Sequence, residues 1–99
     1  MKNIQHFVNG KSFSGESKRT GKIFNPATGE QSAEVKLATT KDINEAVANA
    51  KKAFDVWAST PPLQRARIMF KFKELIEKNS DELTKIIVAE HGKVYEDAR

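Results

Sequence analysis

The first third of the chain carries short alternating apolar runs, and spacings of three and four residues take over after Thr39. Phe7-Val8 and Ser12-Phe13 flank Asn9-Gly10. Asn-Gly is the strongest short hairpin signal, because a type I′ turn needs positive φ at both central residues. Ser14 to Lys22 is polar, with Gly15 and Gly21, and reads as a loop. Lys22-Ile23-Phe24 reads as a short strand. Asn25-Pro26-Ala27-Thr28-Gly29-Glu30 then turns the chain: proline presets φ and pushes Asn25 to extended geometry, and Gly29 can take positive φ. Ala33, Val35 and Leu37 alternate with Glu34 and Lys36, the pattern of a strand with one face covered.

Thr39 opens the helical half. With Asp42 three residues on, it forms a capping box in which aspartate stands in the usual glutamate position. Ile43, Ala46, Val47, Ala50, Ala53, Phe54 and Trp57 then make one apolar stripe. Ala58-Ser59 ends this helix ahead of Pro61-Pro62, which can occupy the first positions of the next one; Thr60 and Pro61 are its candidate N-caps. In that second helix, Ile68, Met69, Phe72, Leu75 and Ile76 gather on one side and Leu63, Ala66 and Phe70 on another, so two flanks call for packing. Asn79, which tolerates a left-handed C-cap, separates it from a third helix bearing Leu83, Ile86, Ile87 and Val88. Gly92 stops the third helix, and Val94 to Arg99 reads as the opening of a fourth. The expected class is α+β: β-hairpins over residues 1–38, then three helices and the start of a fourth over 39–99. The order lacks the β-α-β alternation of a parallel sheet.

Composition narrows this picture only modestly. Ninety-nine residues suffice for one small domain, and a hydrophobic share of 38% with 30% charged residues implies a smallish core. The net charge of +4 is spread over interspersed Lys and Glu with no run of five or six like charges, which reads as solvated helix faces. With no cysteine, these residues carry no disulfide, no cysteine metal site and no cysteine nucleophile. No apolar run is long enough to cross a bilayer, and the first residues have no secretory h-region.

Candidate chemistry is sparse. His6 and His91 stand alone, with no spacing suited to a metal. Gly10, Gly15, Gly21, Gly29 and Gly92 match no phosphate-binding fingerprint. Arg65 falls within the apolar stripe bounded by Met69, Phe72 and Ile76, so its guanidinium calls for a carboxylate or carbonyl, with a salt bridge to Glu45 or to a residue past Arg99 as the expected solution. Trp57 reads as a core residue at the helix junction. No recognition helix follows the diproline, and no aromatic and basic residues interleave on a strand, so neither nucleic acid nor a membrane is an expected partner.

Several separated motifs carry a resemblance. Phe7-Val8-Asn9-Gly10, then Phe24-Asn25-Pro26-Ala27-Thr28-Gly29-Glu30, then Leu37-Ala38-Thr39 before Asp42-Ile43-x-x-Ala46-Val47 through Ala53-Phe54-x-x-Trp57 resemble the N-terminal region of the aldehyde dehydrogenase superfamily. Thr60 to Arg67, Phe70 to Leu75, and Glu90-His91-Gly92-Lys93 are similar to its CoA-acylating, methylmalonate-semialdehyde branch. The resemblance implies a leading part of the family's α/β NAD-binding domain, covering its nucleotide-binding sheet. It also implies an NAD-dependent oxidation in which a cysteine attacks the aldehyde and the acyl group passes to CoA, in a cytoplasmic homo-oligomer, a tetramer in the family. The nucleophile, the catalytic asparagine and glutamate and the nicotinamide-binding motifs of that family lie downstream of these residues. No catalytic, cofactor-binding or metal residue is therefore expected in this segment, its partner is the remainder of the enzyme chain, and alone it should be inactive. Two readings stand beside this one: a free-standing helical interaction module, and a different NAD(P)-dependent aldehyde dehydrogenase.

Overall fold

The computed structural model describes residues 1–99, which divide into two compact units. The first comprises Met1–Phe24 with Gln31–Ser59, and the second Asn25–Glu30 with Thr60–Arg99.

In the first unit, His6–Val8 (β2) and Lys11–Phe13 (β3) form the expected antiparallel hairpin, with Val8 opposite Lys11. Asn9 and Gly10 between them take φ of 54° and 75°, as a type I′ turn demands. Thr20–Phe24 (β4) pairs antiparallel with Gln31–Lys36 (β5). Their register slips between Ile23 and Phe24, and the Ser32 hydroxyl donates to the Ile23 carbonyl there at 3.3 Å.

A further strand, Lys2–Ile4 (β1), lies parallel to β5, with Lys2, Asn3 and Ile4 opposite Ala33, Glu34 and Val35. The element order lacks a β-α-β alternation, as read from the sequence, yet one parallel pair forms within what was expected to be hairpins alone. The crossover that parallel strands require is made here by the β2–β3 hairpin and β4 rather than by a helix. Lys2-Asn3-Ile4 has one apolar residue and no periodicity, so its pairing is set by the partner strand.

The sheet order is β1-β5-β4. Ala33, 5% exposed at the middle of β5 between Lys2 and Ile23, is the one buried apolar residue. Gly21 lies opposite Val35, and a Cβ there would meet Val35 Cγ1 at 3.3 Å. The unit closes with Thr40–Ser59 (α1), whose one buried residue is Asp42.

The second unit holds Pro62–Lys78 (α2), Ser80–His91 (α3), Tyr95–Ala98 (α4) and the Asn25–Glu30 turn. Pro61 is the N-cap of α2, with φ −55°, ψ 144° and no side-chain cap, so Thr60 does not cap it. The Arg65 N–H donates to the Pro61 carbonyl at 3.1 Å, and the missing proline N–H groups cost nothing at this end. Asn79 does not adopt the left-handed conformation: it sits at φ −104°, ψ 15°, and its side-chain amide donates to the Leu75 carbonyl at 2.8 Å. Gly92 does adopt it, at φ 77°, and its N–H closes α3 on the Val88 carbonyl at 2.9 Å. The Thr84 hydroxyl, the most buried in this helix, satisfies itself on the Ser80 carbonyl at 2.7 Å.

The apolar flanks of α2 are not covered. No residue of this helix is buried; Phe70 is 70% exposed and Phe72 54%. Trp57 at the end of α1 is also exposed rather than in a core. No helix is long and apolar enough to cross a membrane.

Gly92→Ala tests the second unit. Its Cβ would enter a left-handed site 3.3 Å from Pro26 Cγ, and the backbone conformation alone costs about 1–2 kcal/mol. A urea titration followed by helical circular dichroism should show the midpoint fall accordingly; an unchanged midpoint would remove Gly92 as a conformational requirement.

Candidate functional site

The best-organised polar cluster centres on Asp42, which is 4% exposed in the first turn of α1. A buried carboxylate needs donors. The Thr39 N–H donates to Oδ2 at 2.9 Å, and the Glu16 N–H reaches the same oxygen at 3.4 Å. In return the Asp42 N–H donates to Thr39 Oγ1 at 3.0 Å, completing the reciprocal capping box that the spacing implied. These bonds, first that from the Thr39 backbone, hold the Asp42 carboxyl below the usual aspartate range against the opposing effect of burial. Gly15 makes the approach possible: at φ +71°, a Cβ there would lie 2.6 Å from Asp42 Oδ2.

The loop before β4 is tied down around this cluster. Lys41 pairs with Glu16 at 2.9 Å and with Glu45 at 3.9 Å, and the hydrogen bond to Glu16 raises the lysine pKa. The Arg19 guanidinium donates to the Ala38 carbonyl at 2.9 Å, and the Arg19 N–H donates to Ser17 Oγ at 3.0 Å. Lys36 Nζ donates to the Ser17 carbonyl at 3.3 Å.

Beside Asp42 runs a cleft of about 320 Å³ between the β2–β3 hairpin and α1. Phe7, Val8, Phe13, Ile43 and Val47 make it largely apolar, and His6 and Asp42 are its titratable groups. His6 Nε2 is buried there without a hydrogen-bond partner, with the ring 6.2 Å from that of Phe13. The cleft is thus a hydrophobic wall with one unsatisfied imidazole nitrogen. Asp42 Oδ2 is committed to the Thr39 and Glu16 amides.

Arg65, singled out in the sequence as needing a carboxylate or a carbonyl, is half-buried and finds a carbonyl, not Glu45. Its Nε donates to the Thr60 carbonyl at 3.0 Å, while Glu45 pairs with Lys41. The guanidinium thus helps hold the loop ahead of α2, a role that helical spacing could not distinguish from ion pairing. A cluster absent from the sequence reading joins α3 to α4: the Tyr95 hydroxyl donates to Asp81, which also pairs with Lys85 at 3.0 Å. The tyrosine hydrogen bond, more than Lys85, holds Asp81 below its ordinary value, and Asp81 raises Tyr95 and Lys85 in turn. Both groups are exposed, so this is a surface clamp. No group of three or more His, Asp or Glu side chains is placed to hold a metal ion.

The sequence profile described as the Aldehyde dehydrogenase family matches residues 13–99. The chain is 39% identical over 98 residues to malonate-semialdehyde dehydrogenase 2 of Oceanobacillus iheyensis and 40% identical over 98 residues to malonate-semialdehyde dehydrogenase of Pseudomonas aeruginosa. Each match covers 99% of this chain and 20% of the relative. Among solved structures, one from Sinorhizobium meliloti, described as a methylmalonate-semialdehyde dehydrogenase complexed with NAD, superposes with a TM-score of 0.95 at 45% identity. The methylmalonate-semialdehyde dehydrogenase of Oceanimonas doudoroffii gives 0.93 at 47%. In both cases 99% of this chain and 20% of the other are covered. The chain therefore spans about one fifth of the length of the relatives it matches.

Asp42→Asn tests the junction. The carboxyl titrates lower in the folded chain than the unfolded value of about 4, so its stabilisation is complete above that value and is lost as pH falls through the folded one. The variant should unfold at lower urea than the wild type at neutral pH, and the gap should close in acid. A gap independent of pH would assign the loss to shape rather than charge. Gly15→Ala, which drives a methyl into Oδ2, should weaken the same junction at neutral pH.

Proposed function

The chain belongs to the aldehyde dehydrogenase family, and on that premise we propose that it is the leading segment of an NAD-dependent, CoA-acylating malonate- or methylmalonate-semialdehyde dehydrogenase. The observation that carries the reading is end-to-end agreement: relatives and structures bearing those two names match 99% of the chain at 39–47% identity. The reaction converts the semialdehyde carbonyl to an acyl-CoA thioester, with NAD as the electron acceptor. A covalent route needs a nucleophile and a place to stabilise an oxyanion. With no cysteine and Asp42 Oδ2 committed to amides, the nucleophile belongs to residues beyond these.

NAD does not fit the residues present. A pyrophosphate needs a glycine loop feeding open amides at a helix N-terminus. Here α1 is closed by the Thr39–Asp42 box and α2 opens on two prolines. Gly10 and Gly29 instead make tight turns with positive φ, and Gly92 ends a helix. Cofactor and CoA would thus be held elsewhere in the enzyme.

The segment's own contribution is cover. Its helices present Ile43, Val47, Phe54, Ile68, Phe72 and Leu75 unburied, and the remainder of the enzyme chain is the surface we assign to them. The full protein would act as a homo-oligomer in the cytoplasm. The exposed faces equally suit a free-standing interaction module; a cooperative melt of the isolated chain without binding of a hydrophobic dye would favour that reading.

The full-length enzyme supplied with malonate or methylmalonate semialdehyde, NAD and CoA should form NADH and acyl-CoA together. NADH formation indifferent to CoA, with free acid as product, would point to a hydrolytic aldehyde dehydrogenase instead. The 99-residue chain should give no NADH. Phe72→Ala should cost on the order of 3–5 kcal/mol in the full enzyme and far less in the isolated segment. Equal losses in the two contexts would count against cover by downstream residues.

A further inference from the structure

We propose that the Asn9–Gly10 turn is a site of spontaneous deamidation, and that its conversion to isoaspartate unlocks the β2–β3 hairpin. The inference is independent of the enzyme reading.

The chemistry is intramolecular. The Gly10 backbone nitrogen forms a bond to Asn9 Cγ, the bond from Cγ to the side-chain nitrogen breaks, and ammonia leaves with the proton that Gly10 gives up. The resulting succinimide is opened by water. Attack at the α-carbonyl yields isoaspartate, and attack at the side-chain carbonyl yields aspartate. No oxidant or reductant is required.

Local structure selects Asn9 from among the asparagines. Both turn residues are exposed, and glycine at position 10 places no side chain of its own beside the attacking nitrogen. Gly10 lies between the last pair of the ladder, Val8 and Lys11, so its N–H is not held by a strand. Asn25 is followed by Pro26, which has no N–H with which to attack, and its Oδ1 accepts the Ala27 N–H at 2.8 Å. Asn79 is held on the Leu75 carbonyl. Asn44 and Asn49 lie inside α1, where the following amide belongs to the helix ladder. Asn3 precedes β-branched Ile4 in β1.

The closed turn resists the rotation that brings Gly10 nitrogen onto Cγ, so the step proceeds when the hairpin opens. That hairpin has only three residue pairs, and isolated two-stranded hairpins are marginal. The aspartate product still tolerates the positive φ of 54°. The isoaspartate product does not preserve the turn, because its backbone carries an additional methylene and a two-residue type I′ loop has no slack. It should release the pairing of His6 with Phe13 and so open one wall of the apolar cleft. Either product also adds negative charge to a cleft lined by Asp42, Glu45 and Lys11.

The test is to hold the folded chain at physiological temperature and neutral pH. Intact mass, peptide mapping and isoaspartate-specific enzymatic methylation then follow the product. The expected result is the mass gain of NH₂ replaced by OH, with fragment ions placing it at Asn9 and methylation rising in parallel. Asn9→Asp, which keeps a residue tolerant of the turn, should abolish both the mass gain and the ammonia release. No change at Asn9 in the folded chain, whatever a urea-unfolded control does, overturns the proposal, as does faster conversion at any other asparagine.

Discussion

A carboxylate withdrawn from water must be met by donors, and the first unit is arranged around how Asp42 meets that demand. One oxygen takes the amides of Thr39 and Glu16, from the helix start and from the loop before β4. Gly15 must lack a side chain for the loop to come so close. Around this point Lys41, Glu16, Arg19 and Lys36 tie the same loop to the strand and helix that follow. A residue that begins as a helix cap thus becomes the joint between the helical and strand parts of the unit.

What the sequence disclosed depended on how local each cause is. The capping box is settled by two residues three apart, and the hairpin by the positive φ that Asn-Gly tolerates; both could be read directly. Strand β1 could not, because three mostly polar residues acquire their conformation from β5. Arg65 was recognised as needing a partner, but the pattern could not choose between a distant carboxylate and the nearby Thr60 carbonyl. Asn79 was credited with a left-handed cap that its side-chain bond to Leu75 makes unnecessary. The Gly15–Asp42 approach had no signal at all, since a glycine in a polar loop looks the same whether it faces water or a carboxylate.

The apolar patterning and the burial lead to one conclusion about energetics. Amphipathic helices gain most of their stability from tertiary packing rather than propensity. Here the stripe residues of α1 and both flanks of α2 remain in contact with water, and the only buried apolar residue is Ala33. The hydrophobic contribution that those stripes encode is thus largely unrealised within 99 residues. This agrees with relatives of about five times the length, in which the same stretch is a minor part. The ordered polar groups around Asp42 cap a helix and anchor a loop.

The parallel pairing of β1 with β5 also orders events in time. On a ribosome the residues from Lys2 to Ile4 emerge before the hairpin and β4, and their partners Ala33 to Val35 emerge only after these. Closing that loop carries an entropic cost that nearer contacts avoid. The hairpin and the β4–β5 pair can therefore form during synthesis while Lys2 to Ile4 wait, so the part of this sheet that is made first is the part that docks last.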